Sequence, residues 1–113
     1  MTVVAFYTTG DSTVVARNPT CRLTQSDMYR IYAEQVGGAG AAVFGVSTDT
    51  DALTRISAIG AGTLRLALFV GHGLGNRAAG GGYMFRSGDA DDGIFGPGDE
   101  ALMNALGRAL VSN

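Results

Sequence analysis

The single histidine of this chain, His72, stands between two glycines, and Gly71-His72-Gly73 closes the apolar run Leu64–Val70. An imidazole titrates near neutral pH and is the usual side chain for general acid–base work. Glycines on either side leave the ring unshielded and let other groups come close to the backbone. The chain also has a single cysteine, Cys21. It has no internal disulfide partner and cannot make a zinc site alone. As a thiolate facing an imidazole it would be a nucleophile; otherwise it is an inert small residue. A Cys21–His72 dyad requires the strands that precede the two residues to be neighbours. Without a catalytic partner, His72 is a loop histidine bonded to a nearby carbonyl.

Other patterns are weaker. Gly71-x-Gly73-x-Gly75 and Gly80-Gly81-Gly82 have the look of phosphate-cradling loops. The dinucleotide fingerprint needs a helix to open directly after its glycines, whereas Asn76-Arg77-Ala78-Ala79 leads into more glycine. Asp89-x-Asp91-Asp92-Gly93 resembles a calcium loop, with Glu100 in the twelfth place, but its glycine comes one position early. No Gly-x-Ser-x-Gly elbow is present.

Composition narrows the classes. Apolar residues make up 46% of the 113 positions and charged residues 16%, a globular balance. One domain spanning 1–113 is expected. The net charge is −2, and the eight basic residues are all scattered arginines, which argues against nucleic acid as a partner. The absence of lysine excludes Schiff-base chemistry and a lysine-bearing phosphate loop. No apolar run reaches the roughly 18 residues of a spanning helix. Met1–Tyr7 lacks the positive stretch of a signal peptide. A cytoplasmic protein without membrane contact, cofactor or metal is the expectation.

The elements that would position His72 follow from periodicity. Val3–Tyr7 reads as a first strand buried on both faces, and residues 8–23 as polar and irregular. Thr24 and Asp27 form an approximate capping box for a helix carrying Met28, Ile31, Tyr32 and Val36 on its apolar face, stopped by Gly37-Gly38. Ala41–Val46 reads as a second strand. Thr48 or Thr50 caps a short helix with Leu53 and Ile56, ended by Gly60. Leu64–Val70 has the near-continuous apolar character of a central parallel strand. A short Tyr83–Phe85 strand and an acidic loop precede a last helix with Leu102, Met103, Leu106, Ala109 and Leu110 on one face. This alternation predicts an α/β fold with a mostly parallel sheet and right-handed crossovers. In such sheets functional groups gather beyond the carboxyl ends of the strands, where His72 falls.

Leu66-Ala67-Leu68-Phe69-Val70-Gly71-His72-Gly73 resembles the catalytic-histidine strand of caspase-like cysteine peptidases. Tyr83-Met84-Phe85-Arg86-Ser87-Gly88-Asp89-Ala90 is similar to the acidic segment that follows in that family, and the order of helices and strands upstream also matches. The resemblance implies a small three-layer sandwich with a caspase-like or Rossmann-like strand order. It implies that His72 is general base and acid opposite a cysteine thiolate, with Gly71 and Gly73 beside the substrate. It loosely makes Arg22 the arginine that grips an acidic substrate side chain. The family's nucleophile follows a fourth strand, beyond the helix that ends here before Val111-Ser112-Asn113. The domain is therefore expected to be incomplete or inactive as a peptidase alone, a pseudoenzyme unless completed. It would act through assembly as a homodimer or with a second protein chain, with a peptide as substrate. Two other readings stay open: a small module binding an anionic small molecule at the glycine-rich loops, and a hydrolase that depends on His72 and Cys21.

The calcium-like loop gives a direct test. With its ligands displaced by one residue, it is expected to bind calcium only weakly. Calorimetry should find an affinity weaker than micromolar; tighter binding abolished by Asp89→Ala would contradict the reading.

Overall fold

The computed structural model describes residues 2–10, 14–18, 21–73, 83–84, 94–95 and 100–112; for 16–18, 21, 72–73, 83–84 and 94–95 it describes the backbone alone. The loop glycines from Gly75 to Gly82 and the acidic loop from Asp89 to Asp92 lie outside the described residues. The elements are β1 (Thr2–Thr8), β2 (Val14–Asn18), β3 (Cys21–Thr24), α1 (Gln25–Gly37), β4 (Ala42–Val46), α2 (Asp49–Ser57), β5 (Leu64–Val70), β6 (His72–Gly73), β7 (Tyr83–Met84), β8 (Ile94–Phe95) and α3 (Glu100–Ala109).

The fold is α/β, with a three-stranded parallel sheet in the order β4-β1-β5 between helices. β1 is its centre: Val4, Ala5 and Phe6 are at most 2% exposed. The register aligns three phenylalanines across the strands, Phe6 with Phe44 on β4 and with Phe69 on β5. The Phe6 ring lies 5.2 Å from Phe69, stacked, and 6.0 Å from Phe44, tilted. Together with Val4, Val46 and Leu64, these rings meet Ala52 and Ile56 of α2 and Leu102 and Ala109 of α3 in one core. A slip of one residue would turn every ring to the opposite face, so the ladder fixes the register. Losing the Phe6 ring would cost about 3–5 kcal/mol.

The other face of the sheet is covered by α1, which buries Tyr29 and Ala33. Gly37 continues that i, i+4 spacing, and a Cβ there would stand 3.8 Å from the Cβ of Ala5. The helix stops because Gly38 adopts φ 80°, a conformation that side chains disfavour, and its N–H donates to the Glu34 carbonyl at 3.1 Å. α2 is capped by Thr48, whose hydroxyl accepts from the Asp51 N–H at 3.2 Å. Arg108 near the end of α3 closes the other end of α2: its guanidinium donates to the Ile59 carbonyl at 2.6 Å and to that of Ser57 at 3.4 Å. A cation satisfying the last carbonyls of a helix complements its dipole.

Three sequence expectations are corrected. Part of residues 8–23 is ordered structure, because β2 and β3 form an antiparallel hairpin running directly into α1. The turn signals at Gly10-Asp11 and Asn18-Pro19 hid it, because β2 and β3 are only five and four residues long. Leu64–Val70 is not central: among the described residues it is an edge of the sheet, with Leu66 41% exposed. Its apolar character is spent on two helical layers rather than on strands to either side. The apolar stripe assigned to α1 also points elsewhere. Met28, Tyr32 and Val36 are 41%, 58% and 47% exposed, and the small residue Ala33 beside Tyr29 brings the neighbouring face onto the sheet. α3 likewise buries Leu102 and Ala109 while Met103 and Leu110 stay exposed.

The capping box of α1 forms as the sequence predicts. The Thr24 N–H and hydroxyl both donate to Asp27 Oδ2, at 2.8 and 3.0 Å, and the Thr24 hydroxyl accepts from the Asp27 N–H at 3.2 Å. These bonds hold the Asp27 carboxyl below its ordinary value of 3.8. A lowered folded-state pKa stabilises above the unfolded value, and that stability is lost as pH falls through the folded value. Asp27→Asn is therefore expected to flatten the loss of stability below the ordinary carboxylate range, measured by denaturant melts across acid pH. Thr24→Ala is expected to cost about 1 kcal/mol at neutral pH.

Candidate functional site

Parallel strands bring their carboxyl ends to one edge, so Thr8, Val46 and Val70 stand side by side there. β1 and β5 are direct neighbours, the condition set for bringing the segments of Cys21 and His72 together. Val70 ends β5, Gly71 bends, and the backbone of His72 and Gly73 enters β6, an antiparallel partner of β7, which in turn pairs with β8. His72 is thus part of a small second sheet, with Met84 opposite it, rather than only of a turn. Cys21 opens β3, four residues before α1 begins, and pairs with Asn18.

Between α1 and the end of β5 lies a groove of about 330 Å³ lined by Gln25, Met28, Tyr29, Tyr32, Val70 and Gly71. The first two turns of α1 form one wall and the carboxyl end of β5 the other. One wall therefore begins four residues after Cys21, and the other ends one residue before His72. The lining is largely apolar, with the amide of Gln25, the two phenols and the Gly71 backbone as its polar groups. Such a groove suits an apolar group.

Arg22 is exposed, and its guanidinium has no ion-pair or hydrogen-bond partner among the described residues. The hairpin register pairs its backbone with that of Arg17. Gly71 lines the groove and Gly73 pairs with Tyr83. Among the described residues, no three His, Cys, Asp or Glu side chains are arranged to hold a metal ion. No helix among the described residues is long and apolar enough to cross a membrane.

Sequence reading missed Met28 and Tyr32 as groove residues because it assigned them to the buried face. The signal was available in the spacing of Ala33 and Gly37, small residues that allow a helix to lie close on a sheet. It also missed Tyr7, which folds over Gly45: a Cβ at Gly45 would stand 3.0 Å from the Tyr7 phenol oxygen. A strand glycine covered by an aromatic neighbour is a known device of sheets. No family model matches the chain, and none of the curated proteins or solved structures compared with it matches either.

Cys21 is the open member of the site. Without a partner cysteine it is expected to behave as an ordinary strand residue. Cys21→Ser should leave the thermal midpoint and any activity in place. Loss of an activity at unchanged thermal stability would instead support the Cys21–His72 dyad.

Proposed function

We propose that this chain is a caspase-like domain, incomplete as a peptidase by itself, that acts through assembly with another chain. The observation that carries the reading is the outer edge of β5. Among the described residues this edge has a single isolated bridge, Leu64 with Leu110, in parallel orientation. There the Val111 N–H donates to the Leu64 carbonyl at 2.8 Å, which ties the chain leaving α3 to the first residue of β5. Leu66 beside that edge and Leu110 at the bridge are both substantially exposed. An apolar strand edge is a template for further pairing, and proteins seldom leave one uncovered.

In this reading a second copy or another protein chain covers the edge of β5, and only a different protein supplies the nucleophile, because the one cysteine of each copy is Cys21. His72, at the carboxyl end of β5, takes the proton of a cysteine thiol contributed across that edge as sulfur attacks the scissile carbonyl. It then returns the proton to the leaving amine. The groove at Tyr32 and Val70 receives an apolar side chain of the substrate, and Arg22 an acidic one. Cys21 is the alternative nucleophile only if its replacement abolishes activity.

Light scattering over a dilution series is expected to give at least twice the 11.6 kDa of one chain. A single-chain mass at every concentration would remove the assembly. The purified chain is expected to leave peptides ending in Asp or Arg uncleaved. Cleavage abolished by His72→Ala would remove the incompleteness.

A further inference from the structure

A second cavity shares no lining residue with the groove at Val70 and Gly71 and does not depend on the peptidase reading. It occupies about 750 Å³ between α2 and the β1–β4 side of the sheet, reaching Thr2 and Ala42 at the amino end of the strands. It exists because α2 leans toward α3. The buried residues of α2, Ala52 and Ile56, enter the core shared with Leu102 and Ala109, so the Asp51–Arg55–Ala58 side of the helix overhangs β4. Ala42 on β4 is too small to fill the gap. The volume falls within the usual range for small-molecule sites.

Its floor is apolar, formed by Val4, Phe44 and Ile59, and its one cation is Arg55. The Arg55 guanidinium lies over the Phe44 ring, 4.3 Å from the centroid. The ring attracts the cation through its quadrupole and holds the guanidinium plane in place. None of the guanidinium donors has an acceptor among the described residues, and no carboxylate lies within ion-pair distance. Asp51, one turn earlier, is already committed: its Oδ2 accepts from the Ser47 N–H at 3.1 Å and the Ser47 hydroxyl at 3.0 Å. Those bonds, with a smaller contribution from the nearby Arg55 charge, keep its carboxyl below the ordinary range. The Thr54 hydroxyl donates to the Thr50 carbonyl at 2.9 Å.

We propose that this cavity binds a small organic monocarboxylate with an apolar body. The carboxylate pairs with the fork of Arg55, and the body lies against Val4 and Ile59. The charge pattern selects a monoanion. A single cation offers one bidentate contact, and the fixed negative charge of Asp51 disfavours a phosphate dianion. The apolar floor disfavours inorganic anions, which have nothing to bury there. Because Phe44 already orients the guanidinium, less side-chain freedom is lost when the anion arrives.

The test uses phenylacetate as probe, with 2-phenylethanol as its uncharged counterpart, in a nuclear magnetic resonance titration of the intact chain. Phenylacetate is expected to shift the amides of Ala42–Gly45 and Thr54–Ile59 saturably, with an affinity of about 1 mM or tighter. 2-Phenylethanol should bind at least about tenfold more weakly, the loss of roughly one charge-assisted contact. Arg55→Gln, at an exposed position, should keep the fold and lose the same factor. Arg65→Gln, an exposed arginine outside the cavity lining, should bind as the unaltered chain does. The proposal is overturned if the shifts stay linear to about 10 mM, if the alcohol binds as well as the acid, or if Arg55→Gln leaves the affinity unchanged. Inorganic phosphate shifting the same amides more strongly than phenylacetate would also overturn it.

Discussion

The Phe44–Phe6–Phe69 ladder is the constraint on which the rest of the chain depends. Three rings in register across three parallel strands tie segments more than sixty positions apart in sequence. Parallel strands have no hairpin to set their alignment, so side-chain packing must do it. Once the rings are stacked, the carboxyl ends of β1, β4 and β5 share one edge, and Gly71 and His72 must emerge there. The same ladder receives α2 and α3 on its face. Arg55 on Phe44 and Arg108 on the carbonyls at the end of α2 then link the helices to it and to each other.

This arrangement leaves two hollows with different chemistry. At the carboxyl end, the start of α1 comes up beside β5 and forms an apolar groove that ends at Gly71. On the α2 face, a mixed cavity with one oriented cation runs along β4 from Ala42 to Gly45. The proposed peptidase-like role uses the first and the proposed carboxylate site the second. The buried core of β1 lies between them, so substitutions at Arg55 and at His72 act independently so long as β1 is intact.

The edge of β5 links fold to function. Leu64 is fully buried, whereas Leu66 two positions on is exposed, and the register with β1 shifts in the same stretch. A register irregularity on an edge strand bends it and limits indiscriminate pairing. The parallel bridge from Leu64 to Leu110 favours one direction of approach over the other. Selective pairing of that kind is what the proposed assembly requires.

The sequence by itself determined the elements whose signals are local. The Thr24–Asp27 box, the Gly37-Gly38 stop and the Thr48 cap involve neighbours in the chain, and each forms where it was expected. The β-branched and aromatic runs marked all three strands of the parallel sheet, and their alternation with helices gave the fold class. It also put Gly71-His72-Gly73 at a strand end. Tertiary structure alone decided which strand is central, which face of α1 is buried and where the cavities fall. Leu64–Val70 is more apolar than Thr2–Thr8, yet β1 takes the centre, because strand order depends on how α1 and α2 cross over the sheet and not on hydropathy. Tyr29 and Ala33 win the buried face of α1 over Met28 and Tyr32 because close packing rewards fit between helix and sheet more than side-chain size. The Arg55 cavity had no sequence signal at all: Phe44 and Arg55 are eleven positions apart on different elements, and only the ladder and the lean of α2 bring them together.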